Sequence, residues 1–210
     1  DYIERHLNQP WSEYKDITKV IVIEEGITKV GYCEFSTYMD VESVTLPDSL
    51  TEIGEGAFAN CISLNVLEIP SGVTRIERPA DETVFIGHYK VDENNQYYTT
   101  DEFGVLFNKD KTKLLHCPRT LTSYQIPNSV TEIGCSAFQG VRLTSVIIPD
   151  GVTTIGGFSF FSCLQLMDIE IPASVSSIGE DAFSTYSCDD FDRYRDIYYL
   201  GTEEDWEKIN

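Results

Sequence analysis

"LPDSLTEIGEGAFANC" spans Leu46–Cys61, and "IPDGVTTIGGFSFFSC" spans Ile148–Cys163. The two stretches agree nearly position for position, so the chain is read first as a repeat. With the apolar residue before the recurrent proline taken as position zero, starts fall at Ile23, Leu46, Ile69, Ile126, Ile148 and Ile171. Neighbouring starts are 23, 23, 22 and 23 residues apart, with one gap of 57 between Ile69 and Ile126, inside which Val91 supplies a further start.

Other columns keep the same phase. Four residues on stand Ile27, Leu50, Val73, Val130, Val152 and Val175. Seven on stand Val30, Ile53, Ile76, Ile133, Ile155 and Ile178, and twelve on stand Phe35, Phe58, Phe138, Phe160 and Phe183. Ahead of each start lies L-x-x-L-x-L, as in Leu64-Leu67-Ile69 and Leu143-Val146-Ile148. Its last three positions alternate, which is the period of a strand with one buried face. Proline then ends the strand because it cannot donate to a ladder, and Asp-Ser, Asn-Ser or Asp-Gly after it is turn chemistry. The Ala-Phe stretch around Phe58 or Phe138 reads as a single helical turn. One 23-residue copy has too few inward side chains to offset the entropy of ordering it. Stacked copies bury each other's faces, so repetition makes the core.

L-x-x-L-x-L at this period is the leucine-rich repeat signature. "IPNSVTEIGCSAF" and the strand "LTSVIIP" (Leu143–Pro149) resemble the BspA-like branch of that family over about residues 17–205. "VDENNQYYTTDEFGVLFNKDKTKLLHCP" (Val91–Pro118) resembles its hairpin-bearing long repeat, and "YYLGTEEDWEKI" (Tyr198–Ile209) its C-terminal cap. The repeat from Ile69 departs from the pattern: Asp81 stands where Phe belongs, and Pro79 breaks the motif.

The resemblance implies a β-rich α/β fold: a right-handed leucine-rich repeat solenoid. It would have one parallel sheet of about seven to eight strands, short helical turns on the convex side, and two caps. We read 1–210 as one domain, with an N-terminal cap over 1–22 and repeats over 23–187. A hairpin insertion falls near 92–118, around Tyr97–Tyr98 and Asn108–Lys111, and a C-terminal cap covers 188–210. Trp11 and Trp206 read as lids on the core, and Thr202 with Asp205 as a capping box.

Thirty-five acidic against fifteen basic residues give a net charge of −20. That argues against nucleic acid and anionic membranes as partners, since both need facing positive charge. No apolar run approaches the ~20 residues of a membrane span. The chain starts at Asp1, not Met, so it reads as a trimmed product that would not show a signal peptide or anchor.

Chemistry is sparse. Cys61 and Cys163 share one column four rungs apart, roughly 19 Å at ~4.8 Å per rung, too far for a disulfide. Cys163 and Cys188 are the best candidate pair, while six mostly buried thiols acting as small apolar groups is the favoured reading. His6, His88 and His116 are scattered over cap, strand and hairpin. "GEGAFA" (Gly54–Ala59) matches a dinucleotide-loop pattern but lies inside the repeat, where its Phe belongs to a core column. Asp189, Asp190, Asp192 and Asp196 cluster in "CDDFDRYRD" at a spacing that fits no calcium loop. No catalytic, cofactor-binding or metal-binding residue is assigned.

The remaining candidate is the outward strand face, which related scaffolds commonly use for ligands. Its residues are Glu42, Thr45, Asn65, Glu68, His88, Lys90, Ser123, Gln125, Thr144, Ser145, Ile147, Met167, Asp168 and Glu170. The strip is polar and mildly acidic, without aromatic rows. The resemblance implies an extracellular, surface-attached or secreted monomer that recognises a protein or glycan without a cofactor or catalysis, as adhesins of the branch do. A structural spacer within a larger surface protein is the alternative reading, and an enzyme is a distant third.

Overall fold

The computed structural model describes residues 10–77, 86–185 and 196–209. It divides into two compact units, Asp1–Gly104 and Val105–Asn210, each built of stacked coils. Unit 1 holds β1 (Val20–Val22), β2 (Lys29–Val30), β3 (Ser43–Thr45), β4 (Glu52–Ile53), β5 (Val66–Ile69), β6 (Arg75–Ile76), β7 (His88–Val91) and β8 (Tyr98–Thr100). Unit 2 holds β9 (Leu106–Asn108), β10 (Lys113–His116), β11 (Ser123–Gln125), β12 (Glu132–Ile133), β13 (Ser145–Ile147), β14 (Thr154–Ile155), β15 (Asp168–Ile171), β16 (Ser177–Ile178), β17 (Asp196–Tyr199) and a short helix, α1 (Glu203–Trp206).

The L-x-x-L-x-L strands are where the alternation predicts them. β3 and β11 are exposed–buried–exposed, and β5 and β15 alternate over four residues. Eight such strands occur among the described residues, four in each unit. They hydrogen-bond in parallel pairs, β1–β3, β5–β7, β11–β13 and β15–β17, instead of in one unbroken sheet. The unbroken ladders belong to a second column seven residues after position zero, where β2–β4–β6 run in parallel in unit 1 and β10–β12–β14–β16 in unit 2. These strands are two residues long for the most part, too short to carry a readable period.

The far side of each coil is a chain of hydrogen-bonded turns where the sequence suggests a helical turn. Alternate amides bond within the coil, as Gln139 N–H to Ser136 O at 3.1 Å. The amides between them bond to the next coil, as Ser136 to Gly157 O, Phe138 to Ser159 O and Gly140 to Phe161 O at 2.7–2.9 Å. Every second amide therefore reaches the neighbouring coil, which a helix would not allow. The geometry requires left-handed backbone ten and fourteen residues after position zero. Gly56, Ser136 and Asp181 supply the first column, and Asn60, Gly140 and Ser162 the second. Phe158 joins the first at φ 56°, a costly conformation for a bulky residue.

Gly54 and Gly156 begin this side of their coils. A Cβ on Gly54 would sit 2.8 Å from the Gly31 carbonyl carbon, and one on Gly156 2.5 Å from the Cys135 nitrogen. The "GEGAFA" glycine thus serves the close approach of coils. Inside, the phenylalanine column stacks: Phe35 on Phe58 at 5.8 Å, Phe138 on Phe160 at 4.8 Å, and Phe160 on Phe183 at 5.6 Å. Trp11 closes one end of it, 5.9 Å from Phe35, and Trp206 packs 5.3 Å from Tyr199. Both tryptophans stay partly exposed. The Thr202–Asp205 capping box forms as the sequence reads.

The hairpin is less of a protrusion than its sequence suggests. β9 pairs antiparallel with β10, which is itself a rung of the second column through its pairing with β12. Val105, Leu106, Phe107 and Leu114 are buried. In unit 2 the tip at Lys109–Asp110 and Thr112 stand in solvent, and in unit 1 so do Asp92–Asn94, Gln96, Tyr97, Glu102 and Phe103. The rung carrying Pro79 and Asp81 lies outside the described residues.

Candidate strand-face site

The strands hold their inner side chains in the core, so the alternate residues must face out. Every one of the fourteen candidates is exposed. In unit 1 the register sets Val66 beside His88 and Glu68 beside Lys90, with Thr45 on β3. Glu42 and Asn65 lie just ahead of their strands. Lys90 Nζ reaches Glu68 Oε1 at 2.8 Å, and Lys19 Nζ reaches Glu42 Oε1 at 3.0 Å. Each carboxylate accepts from its lysine and raises that lysine's pKa. At the strand ends a cleft of about 240 Å³ opens between Thr45, Asp48, Glu68, Pro70, Lys90 and Asp92. Val20 and Val22 of β1 add exposed apolar surface to this face.

In unit 2 the register sets Ser123 beside Ser145 and Gln125 beside Ile147. Thr144 precedes β13, and its hydroxyl donates to Thr122 O at 2.9 Å. Asp168 lies opposite Asp196, and Glu170 opposite Tyr198. Ile147, Met167 and Tyr198 are about half exposed. Tyr198 donates to Asp196 Oδ2 at 3.4 Å. The Asp196 charge, with desolvation and the Asp168 charge, raises its pKa.

Asp196 and Tyr198 are face residues that the repeat arithmetic misses. β17 follows β15 by 28 residues, from Asp168 to Asp196, because an insertion intervenes. The signal available was the apolar Ile197, which falls in register with buried Ile169.

The other candidates separate. His88 is on the face, whereas His116 is buried in unit 2, where desolvation lowers its pKa to about 3. His6, Asp189, Asp190, Asp192 and Cys188, and with Cys188 any pairing to Cys163, lie outside the described residues. Cys61 and Cys163 play one repeated part. Cys61 Sγ donates to Phe35 O at 3.2 Å and Cys163 Sγ to Phe138 O at 2.9 Å, each reaching the preceding coil. Burial pushes the Cys61 thiol up to about 12, so it is no nucleophile at neutral pH. Among the described residues no cluster of three or more His, Cys, Asp or Glu could hold a metal, and no helix is long and apolar enough to cross a membrane.

Known proteins share this architecture. A leucine-rich repeat protein from Eubacterium ventriosum is 23% identical, with a TM-score of 0.60, over 94% of this chain and 64% of its own. A leucine rich cell surface protein from Faecalibacterium prausnitzii is 24% identical, with a TM-score of 0.64, over 91% of this chain and 62% of its own. The pneumococcal vaccine antigen PcpA is 21% identical, with a TM-score of 0.67, over 89% of this chain and 58% of its own. The chain thus spans about three fifths of the length of these structures, and at such identities the likeness is one of fold. No curated protein matches the chain. The BspA type leucine rich repeat region matches in six copies over residues 12–103 and 112–203. With its repeat columns, stacked coils and outward strand faces, the chain belongs to the BspA-type leucine-rich repeat family.

Proposed function

We propose that this chain is a non-catalytic binding module that engages a protein or glycan outside the cell through its strand faces. The observation that carries the reading is the row of exposed side chains held in register on each unit, Glu68 beside Lys90 and Ser145 beside Ser123. A strand-backed row presents side chains at fixed spacing with little entropy left to lose on binding. Membership of a repeat family and the cell-surface description of the Faecalibacterium prausnitzii protein support the extracellular setting. The strong negative charge disfavours nucleic acid as the ligand.

The test is a binding screen of the purified chain against extracellular matrix proteins and a glycan array. A variant carrying Glu68→Lys, Lys90→Glu and Ser145→Arg is run beside it. The first two changes reverse an ion pair without breaking it, so the fold tolerates them. Saturable binding lost in the variant supports a strand-face site. Binding that survives moves the site off the faces. Absence of any ligand favours the spacer reading.

A further inference from the structure

Across both units, cross-coil rows of charged side chains alternate in sign. Glu52 lies between its register partners Lys29 and Arg75, at 2.7 and 3.5 Å. Lys113 lies beside Glu132 at 2.6 Å, Lys90 beside Glu68 and Lys19 beside Glu42. Among register-paired strand residues one row breaks this pattern, although off the strands Arg119 and Arg142 of unit 2 are also like-charged neighbours. On unit 2, Asp168 and Asp196 are direct register partners, and Glu170 follows on the same face. None of the three carboxylates makes an ion pair among the described residues, and β11, β13, β15 and β17 carry no Lys or Arg. Like charges directly opposite on adjacent strands oppose folding. Such local conflict collects where a sequence serves something besides its own stability. Ile147, Met167 and Tyr198 lie exposed on the same strands or just ahead of them, offering apolar contact beside the charge.

We propose that this face of unit 2 docks a Lys- or Arg-rich protein segment, whose cations neutralise the Asp168–Asp196 row while its aliphatic stems cover Ile147, Met167 and Tyr198. The chemistry is complementary on both counts. A basic side chain carries a charged head on an apolar stem, and a guanidinium takes a carboxylate through two parallel hydrogen bonds. Tyr198 adds a ring face for a cation. The proposal rests on the binding-module reading and names its partner class.

The probe is an acetylated and amidated peptide of alternating Arg and Ser, titrated into the whole chain by calorimetry at low and at physiological ionic strength. Its alternating Glu and Ser counterpart is the negative control. Three variants accompany it: Asp168→Asn with Asp196→Asn; Asp150→Asn with Glu180→Gln, which makes the same charge change at exposed loop positions of unit 2; and Asp196→Lys. The proposal expects at least a tenfold weaker peptide affinity in the first variant and a change under twofold in the second. Asp196→Lys should abolish binding and raise the melting temperature at low ionic strength, because it turns a like-charge pair into a complementary one. A loss of the same size in the first two variants means diffuse attraction to an acidic protein and overturns the proposal. So does undiminished binding in the first variant, no binding by the parent chain, or a lowered melting temperature in Asp196→Lys. A matrix protein that still binds the first variant would sink this site while leaving the binding-module reading intact.

Discussion

His116 is an ionisable group inside the core of unit 2, and burial alone depresses it to about 3. Its unfolded value is about 6.5. Between these values the unfolded chain takes up a proton that the folded chain refuses, so stability falls as pH drops from about 6.5 towards 3. The slope from this one residue reaches about 1.4 kcal/mol per pH unit. His116→Leu should flatten the pH dependence of urea unfolding in that window; an unchanged slope would contradict the burial. Phe138 tests the repeat register. It is fully buried and stacked on Phe160. Phe138→Ala should cost about 3–5 kcal/mol by emptying the column, and a melting temperature within a degree or two of the parent would refute the register. The phenylalanine was legible because it recurs every 22 or 23 residues, whereas the histidine was not, because one imidazole in a hairpin carries no periodicity.

At the scale of elements, the stretch after β7 shows how a repeat array tolerates an irregular coil. Asn95 stands in the column occupied elsewhere by Leu50 or Val73 and is fully buried. Its Nδ2 donates to Pro70 O and Val73 O, both at 2.9 Å, and its Oδ1 accepts from the amides of Tyr97 and Tyr98 at 2.8 Å. The Tyr98 hydroxyl accepts from Ile76 N–H at 2.9 Å and donates to Thr74 O at 3.3 Å. The Tyr98 hydroxyl thus bonds β6 where a further rung would, and Asn95 ties down the turn ahead of β6. Asn95→Ala removes the Asn95 partner of the buried Val73 carbonyl and of the part-buried Tyr97 and Tyr98 amides, while Pro70 O keeps its bond from Val73 N–H; a buried group left unpaired costs about 1–3 kcal/mol. Chemical denaturation should show a loss of at least about 2 kcal/mol, with Tyr98→Phe costing about half as much. The strands before each proline were legible from alternation and the turns from their proline and glycine. The two-residue strands of the second column, the inter-coil turn ladder and the role of Asn95 were not, since each depends on what lies in the neighbouring coil.

The whole molecule carries a charge of −20, spread over its surface except where the ladders pair it. Self-repulsion of that size destabilises a compact state and is screened by salt. The exposed ion pairs are individually worth little, so repulsion dominates and moderate sodium chloride should raise the melting temperature at neutral pH. A fall on adding salt would mean that the Lys29–Glu52–Arg75 and Lys113–Glu132 ladders outweigh the net charge.

By itself the sequence determined the repeat period, the buried columns, the outward rows and the family, because all of these are periodic along the chain and periodicity needs no neighbour to be seen. The tertiary structure alone decided how the rows meet: that Glu68 pairs with Lys90, that the hairpin becomes a rung, and that Asp196 and Tyr198 join Asp168 and Glu170 on one face. Those outcomes hang on register between coils, and an insertion of unrepeated length before β17 erased that register from the sequence.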